Sequence, residues 1–140
     1  MSLISVFDVI GPNMVGPSSS HTAGAASVAR IAGKLFQKEI QEVVFTLYGS
    51  FAKTYQGHGT DRALVGGIMG FETDDLRIRD SFQIAKQKGL SFRFEKNTTE
   101  DEVHPNTVDI RMTGTDGSVM AGRGVSVGGG KIKIVKLNDV

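Results

Sequence analysis

The sequence predicts an α+β domain with helices packed on a mainly antiparallel sheet, and three observations carry that expectation. Apolar residues recur at helical spacing early in the chain, β-branched and aromatic runs dominate its second half, and a Gly-Thr-Asp-Gly turn separates two of those runs. Helices first and strands later is the order of an α+β domain. The 140 residues suffice for one domain with one core, burying roughly 70% of the unfolded surface.

A first segment, Ser2 to Ile10, leads into a loop broken by Gly11-Pro12 and Gly16-Pro17. Val28, Ile31, Ala32, Leu35 and Phe36 then mark one face of a helix from about His21 to Lys38, with Arg30, Lys34, Gln37 and Lys38 on other faces. Its opening residues Ala23-Gly24-Ala25-Ala26 carry so little side chain that another backbone could pack closely against them. Glu42 to Tyr48 reads as a buried strand ending at Gly49. A second helix is expected from Thr60 or Asp61 to Met69, with one of that pair as its N-cap. A third, Ile78 to Lys88, stops at Gly89, the place of a C-terminal helix glycine. Strands follow at Leu90–Glu95, Thr107–Thr113, Ser118–Val127 and Lys131–Leu137.

Composition excludes several functions. Sixteen basic residues balance 15 acidic ones without a block of either sign, so there is no electrostatic footprint for nucleic acid or an anionic membrane. No apolar run approaches a membrane span, and MSLISVFDVIGP lacks the pattern of a signal peptide, which points to the cytoplasm. With no cysteine, the chain has no disulfide, no thiolate metal site and no cysteine nucleophile. Glycine, 18 of 140 or about 13% against an average near 7%, is concentrated in two segments, Gly49–Gly70 and Gly114–Gly130, where the backbone turns sharply or approaches something closely.

Three short runs hold the chemistry-bearing side chains. In Gly16-Pro17-Ser18-Ser19-Ser20-His21-Thr22, four hydroxyls and an imidazole stand where a loop becomes a helix. The unpaired N–H groups and partial positive charge of a helix start, with hydroxyl donors around them, form a seat for a carboxylate or phosphate. One serine as an ordinary cap is the plainer alternative, though a cap needs no imidazole. Gly57-His58-Gly59-Thr60-Asp61 repeats the theme, a histidine between glycines before a helix. In His104-Pro105-Asn106-Thr107 the proline stiffens the approach to a strand and can aim Asn106. The three glycines of Ser126-Val127-Gly128-Gly129-Gly130-Lys131 exceed what a tight turn needs and point to close approach by a ligand or another chain.

Familiar motifs are missing. The glycines fit neither a phosphate-binding loop nor a dinucleotide fingerprint. His21, His58 and His104 lack metal-ligand spacing, so no metal site is expected on this chain. Ser20, His58 and Asp61 have the residue types of a hydrolase triad but no nucleophile elbow.

The segments SVFDVIGPNMVGPSSSHTAGAA, LYGSFAKTYQGHGTDRALVGGIMG, VHPNT and SVGGGKI, in this order, resemble the β chain of bacterial iron–sulfur-dependent L-serine dehydratases, in their two-chain form. The resemblance spans nearly the whole chain. It implies a fold like the allosteric substrate-binding domain of some phosphoglycerate dehydrogenases. It also implies a lyase that converts L-serine to pyruvate and ammonia without pyridoxal phosphate, using a [4Fe–4S] cluster held by a separate α subunit. Ser18, Ser19, Ser20 and Thr22 would then orient the substrate carboxylate, and His21 and His58 would take part in proton transfer. Thr60 and Asp61 would line the site, with Asp61 able to fix an imidazole tautomer, and Asn106 would contact substrate. His104 is the weaker match. The sequence does not assign acid and base between the two histidines. Family β chains usually continue into an ACT-type regulatory domain, and this sequence ends at Val140, about where that domain would begin, as a truncated or short form would.

Two other readings stay open on the residues: a non-catalytic regulatory module that binds serine or a similar anion, and a dimerisation domain whose glycine loops pack on a second copy. Paired histidines favour the enzyme, since pure anion binding has no need of both His21 and His58.

Overall fold

Helix α1 (Ser19–Phe36) begins two residues before its expected start and buries a line of small and medium side chains, Ala25, Val28, Ala29, Ala32 and Phe36. Ile31 and Leu35, part of the apolar pattern, are half-buried at its margin. The computed structural model of the chain describes residues 2–3, 9–10, 19–49, 52, 59–97, 107–128 and 131–139. Among these, β1 (Ser2–Leu3) and β2 (Val9–Ile10) precede α1, and β3 (Ile40–Tyr48), α2 (Thr60–Ile68), a 3₁₀ turn (Leu76–Asp80) and α3 (Ser81–Gln87) follow it. The chain closes with β4 (Ser91–Asn97), β5 (Thr107–Gly114), β6 (Val119–Gly128) and β7 (Lys131–Asp139).

Five long strands lie in the order β7-β6-β5-β3-β4, and the two-residue β1 and β2 both pair with β7. Every pairing is antiparallel except β3 with β4, which makes the sheet mixed. That parallel pair exists because α2, the 3₁₀ turn and α3 carry the chain back over the sheet between the two strands, as a parallel connection requires. The hairpin expected at Gly114–Gly117 joins β5 to β6. Gly117 has φ +85°, and Asp116 accepts hydrogen bonds from the N–H and hydroxyl of Ser118.

One sheet face is the floor of the core. Val43, Phe45 and Leu47 of β3 face the helices beside Val108, Ile110 and Met112 of β5 and Ile132 and Ile134 of β7, the alternation that a half-covered sheet dictates. The other helices depart from expectation in detail. The segment read as one helix from Ile78 is a 3₁₀ turn followed by α3, because the Asp75 carboxylate accepts the Arg77 N–H and starts a tighter turn first. Gly89 has φ +78°, as a glycine ending a helix should. Its N–H donates to Lys86 and that of Leu90 to Ala85, which satisfies the last carbonyls. Gly70, at φ +95°, ends α2 the same way, with Phe71 donating back to Gly66.

The low bulk of α1 serves close packing. A Cβ on Gly67 of α2 would stand 2.4 Å from the Ala26 carbonyl oxygen and 3.0 Å from Ala29 Cβ, so the two helices meet at backbone distance. On the sheet side, a Cβ on Gly124 of β6 would collide with Val28. The three-glycine run falls where β6 turns into β7. Gly128 pairs with Lys131, leaving a two-residue connection, and such connections favour glycine. Gly129 and Gly130 lie outside the described residues.

Gly67→Ala should cost at least about 2 kcal/mol, since it forces apart two backbones. Gly70→Ala, with open space but a left-handed conformation, should cost only about 1 kcal/mol. Urea unfolding of the two variants checks the order.

Candidate active site

Topology decides what shares an end of the sheet. Gly33 near the end of α1, Ile68 and Met69 at the end of α2, Lys88 after α3, and Ile40 and Leu90 at the starts of β3 and β4 line one hollow of about 270 Å³. The helix C-termini therefore gather at one end, and α1 and α2 run the same way. Their N-termini point to the opposite end, where β3 finishes at Tyr48. There, too, Leu47 pairs with Val108, so β5 starts there, and Thr107 pairs with Val125 near the end of β6. Counting back seven residues from the Gly67–Ala26 contact, about 10 Å of helix, sets Thr60 level with the first turns of α1.

The elements that flank every motif singled out above thus lead to one end of the molecule. Ser19, Ser20 and His21 form the first turn of α1. Thr22 follows them and is half-buried. Ser18, His58, His104 and Asn106 lie outside the described residues, as do the side chains of Ser19, Ser20 and His21.

Helix α2 starts differently from expectation. Neither Thr60 nor Asp61 caps it: the cap position is Gly59, at φ +82°, and no side chain caps there. A left-handed residue is best supplied by glycine, which accounts for the second glycine of Gly57-His58-Gly59. Asp61, 8% exposed, accepts the Arg62 N–H on Oδ1 at 2.8 Å. Thr60 is fully buried, and its hydroxyl has no hydrogen-bond partner among the described residues. An orphaned buried hydroxyl costs about 1–3 kcal/mol. Such a hydroxyl calls for an explanation, and at the start of a helix beside a buried carboxylate a polar ligand is one candidate.

The sheet face turned away from α1 and α2 carries a second polar group near the same end. Tyr48 donates its hydroxyl to Asp109 Oδ2 at 2.6 Å, and Arg123 grips both oxygens of Asp109 at 2.6 and 3.0 Å, while also donating to the Tyr48 oxygen at 3.2 Å. The Arg123 guanidinium lies 5.1 Å from the Tyr48 ring centre. Burial, reinforced by the hydrogen bond to Asp109, pushes the Tyr48 phenol above its ordinary range, and Asp109 raises Arg123 further. Three strands are tied together where β3 ends.

The profile of the family described as "Serine dehydratase beta chain" matches residues 5–136. The chain belongs to that family. It is 51% identical over its whole length to the "L-serine dehydratase, beta chain" of Peptoniphilus asaccharolyticus, and 50% identical over 99% of its length to the "Probable L-serine dehydratase, beta chain" of Bacillus subtilis. It spans 63% and 62% of those proteins. Against the "L-serine dehydratase" of Helicobacter pylori J99 the identity is 30%, over 99% of this chain and 34% of that protein. The family is thus the one that the motifs indicated.

The Tyr48, Asp109 and Arg123 group escaped the sequence reading, although β5 carried its signal. With Val108, Ile110 and Met112 on the core face, strict alternation puts Asp109 and Arg111 on the other, where a charge needs a partner from the next strand. Among the described residues no group of three or more acidic, histidine or cysteine side chains could hold a metal ion, and no helix is long and apolar enough to cross a membrane.

Because the folded Tyr48 pKa lies above its unfolded value near 10, its contribution is complete below about pH 10 and is lost as pH rises through the folded value. Tyr48→Phe should cost about 1 kcal/mol at pH 7 and flatten the decline in stability above pH 10, read from urea unfolding across pH 7 to about 11.

Proposed function

We propose that this chain is the β subunit of an L-serine dehydratase, a cytoplasmic lyase that converts L-serine to pyruvate and ammonia together with a separate α subunit. The observation that carries the reading is the buried Thr60 hydroxyl, without a partner among the described residues, at the start of α2 in a chain of this family. In this reading the two-layer frame is also that of the substrate-binding domain of some phosphoglycerate dehydrogenases.

No cysteine exists to hold an iron–sulfur cluster, so a [4Fe–4S] group does not fit this chain and its thiolate ligands belong to the α subunit. When bound there, the cluster supplies Lewis acidity that makes hydroxide a feasible leaving group. The chain's own residues bind and move protons. Ser18, Ser19, Ser20 and Thr22 at the start of α1 hold the substrate carboxylate, helped by the partial positive charge of that helix end. Thr60 donates to, or accepts from, the seated serine, and Asn106 contacts it from the approach to β5. One of His21 and His58 removes the α-proton and the other protonates departing oxygen, since an imidazole near its ordinary pKa does either at neutral pH. Asp61 fixes the tautomer of the nearer ring. Loss of the α-proton and of the β-hydroxyl gives aminoacrylate and water. Aminoacrylate tautomerises to the imine, which water hydrolyses to pyruvate and ammonia.

The test is anaerobic co-expression with an α chain, followed by pyruvate release from L-serine. His21→Ala and His58→Ala should each lower kcat by at least about 100-fold. Unchanged turnover in both removes the enzyme reading and leaves a serine-binding regulatory module. Thr60→Val should lower turnover by about 10-fold or more while leaving the stability of the β chain unchanged or raised by up to about 1 kcal/mol, because it deletes an orphaned hydroxyl.

A further inference from the structure

Helix α2 is held from two sides. On one, Gly67 presses on α1. On the other, α2 meets the corner where the 3₁₀ turn becomes α3, and the contacts there are spaced one helical turn apart. A Cβ on Gly66 would stand 2.9 Å from Ile78 Cγ1. One turn earlier in α2, the Arg62 carbonyl accepts a 2.8 Å hydrogen bond from the Ser81 hydroxyl. The Arg62 guanidinium then lies 5.2 Å from the ring centre of Phe82, the residue after Ser81. Phe82 in turn packs on Phe92 at 4.8 Å between centres, and Phe94 stacks on Phe45 at 5.4 Å, which anchors the corner to the sheet.

We propose that Ser81 is a positioning residue for the substrate site: its hydroxyl, on the Arg62 carbonyl, sets the height and rotation of the α2 turn that carries Thr60 and Asp61. Three features require it. Ser81 is first in α3, where a serine would ordinarily turn its oxygen to nearby N–H groups, yet its hydroxyl reaches 19 residues back. The residue is fully buried, so this bond is not exchanged with water. The turn it grips has no side-chain cap, and besides the backbone bonds within α2 it is tied locally by the Ala63 N–H to the Gly59 carbonyl and the Arg62 N–H to Asp61. Packing at Gly66 and Gly67 fixes the distance of α2 from its neighbours but allows it to slide along the seam. A directional hydrogen bond to the first turn opposes that sliding.

This inference rests on the substrate role proposed for Thr60, and the experiment separates the two. Turnover of L-serine by the co-expressed α and β chains is measured for Ser81→Ala, Thr60→Val and the double variant. Ser81→Ala should lower kcat about 10-fold, as a misplaced contact does, while the unfolding midpoint of the β chain moves by no more than a few degrees. On the Thr60→Val background the same change should cost less than about two-fold, because the group that Ser81 positions is already gone. Multiplicative losses, no loss from Ser81→Ala, or a loss that follows the unfolded fraction would each overturn the positioning role. Should Thr60→Val leave turnover intact, the role of Thr60 itself falls, and coupling of Ser81→Ala to Asp61→Asn decides Ser81 by the same criterion. Ser81→Cys, which keeps the volume but donates weakly, reproduces the loss without a cavity if the bond is what matters.

Discussion

The contact of Gly67 with the Ala26 carbonyl and the Ala29 methyl is the constraint on which the site depends. At that separation no larger side chain fits between the helices, so α1 and α2 lie in close contact with a common direction. Two positive helix ends consequently face the same way. Their partial charges add, where an antiparallel pair would have cancelled them. Ala23, Ala25 and Ala26 therefore bear on the proposed site, since a bulkier run would separate the helix starts that carry Ser19 to Thr22 and Thr60 to Asp61.

The sheet completes the arrangement through its order. Placing β5 between β3 and β6 brings the start of β5 beside the end of β3, and the irregularities in the β6–β7 register fall toward that same end, between Arg123 and Gly124 and between Ser126 and Gly128. Such irregularities re-aim a strand where regular pairing would carry it straight on. The Tyr48, Asp109 and Arg123 group ties β3, β5 and β6 at this place from the sheet face opposite α1 and α2, by charge-assisted hydrogen bonds.

Most of the frame could be read from the residues, and the exceptions share a cause. The stripe of α1, the strand at Glu42–Tyr48, the Gly114–Gly117 hairpin and the stop at Gly89 are local patterns, written in neighbouring side chains. The start of α2 departs from the expected pattern because capping by Thr60 or Asp61 is the usual local solution, whereas here Gly59 takes a left-handed conformation and neither side chain caps the helix. The break before α3 depends on one carboxylate, Asp75, that competes for a backbone N–H. The parallel pairing of β3 with β4, the bond from Ser81 to Arg62 and the cluster on Asp109 are long-range, and periodicity holds no information about which strand or helix becomes the neighbour.

An uncapped helix and an orphaned hydroxyl are both defects when the chain is taken alone. Valine in place of Thr60 would relieve a buried polar group by about 1 kcal/mol, whereas at Gly59, φ +82°, a side chain that could cap the helix would be strained. Selection for stability alone would remove the hydroxyl. The two are intelligible together if the groups left unsatisfied are those that a small polar anion satisfies on arrival: a side-chain cap would occupy the N–H groups it needs, and an apolar residue would deny it the hydroxyl. Under the function proposed above, the cost of keeping the Thr60 hydroxyl and the open N–H groups of α2 would be offset when substrate binds.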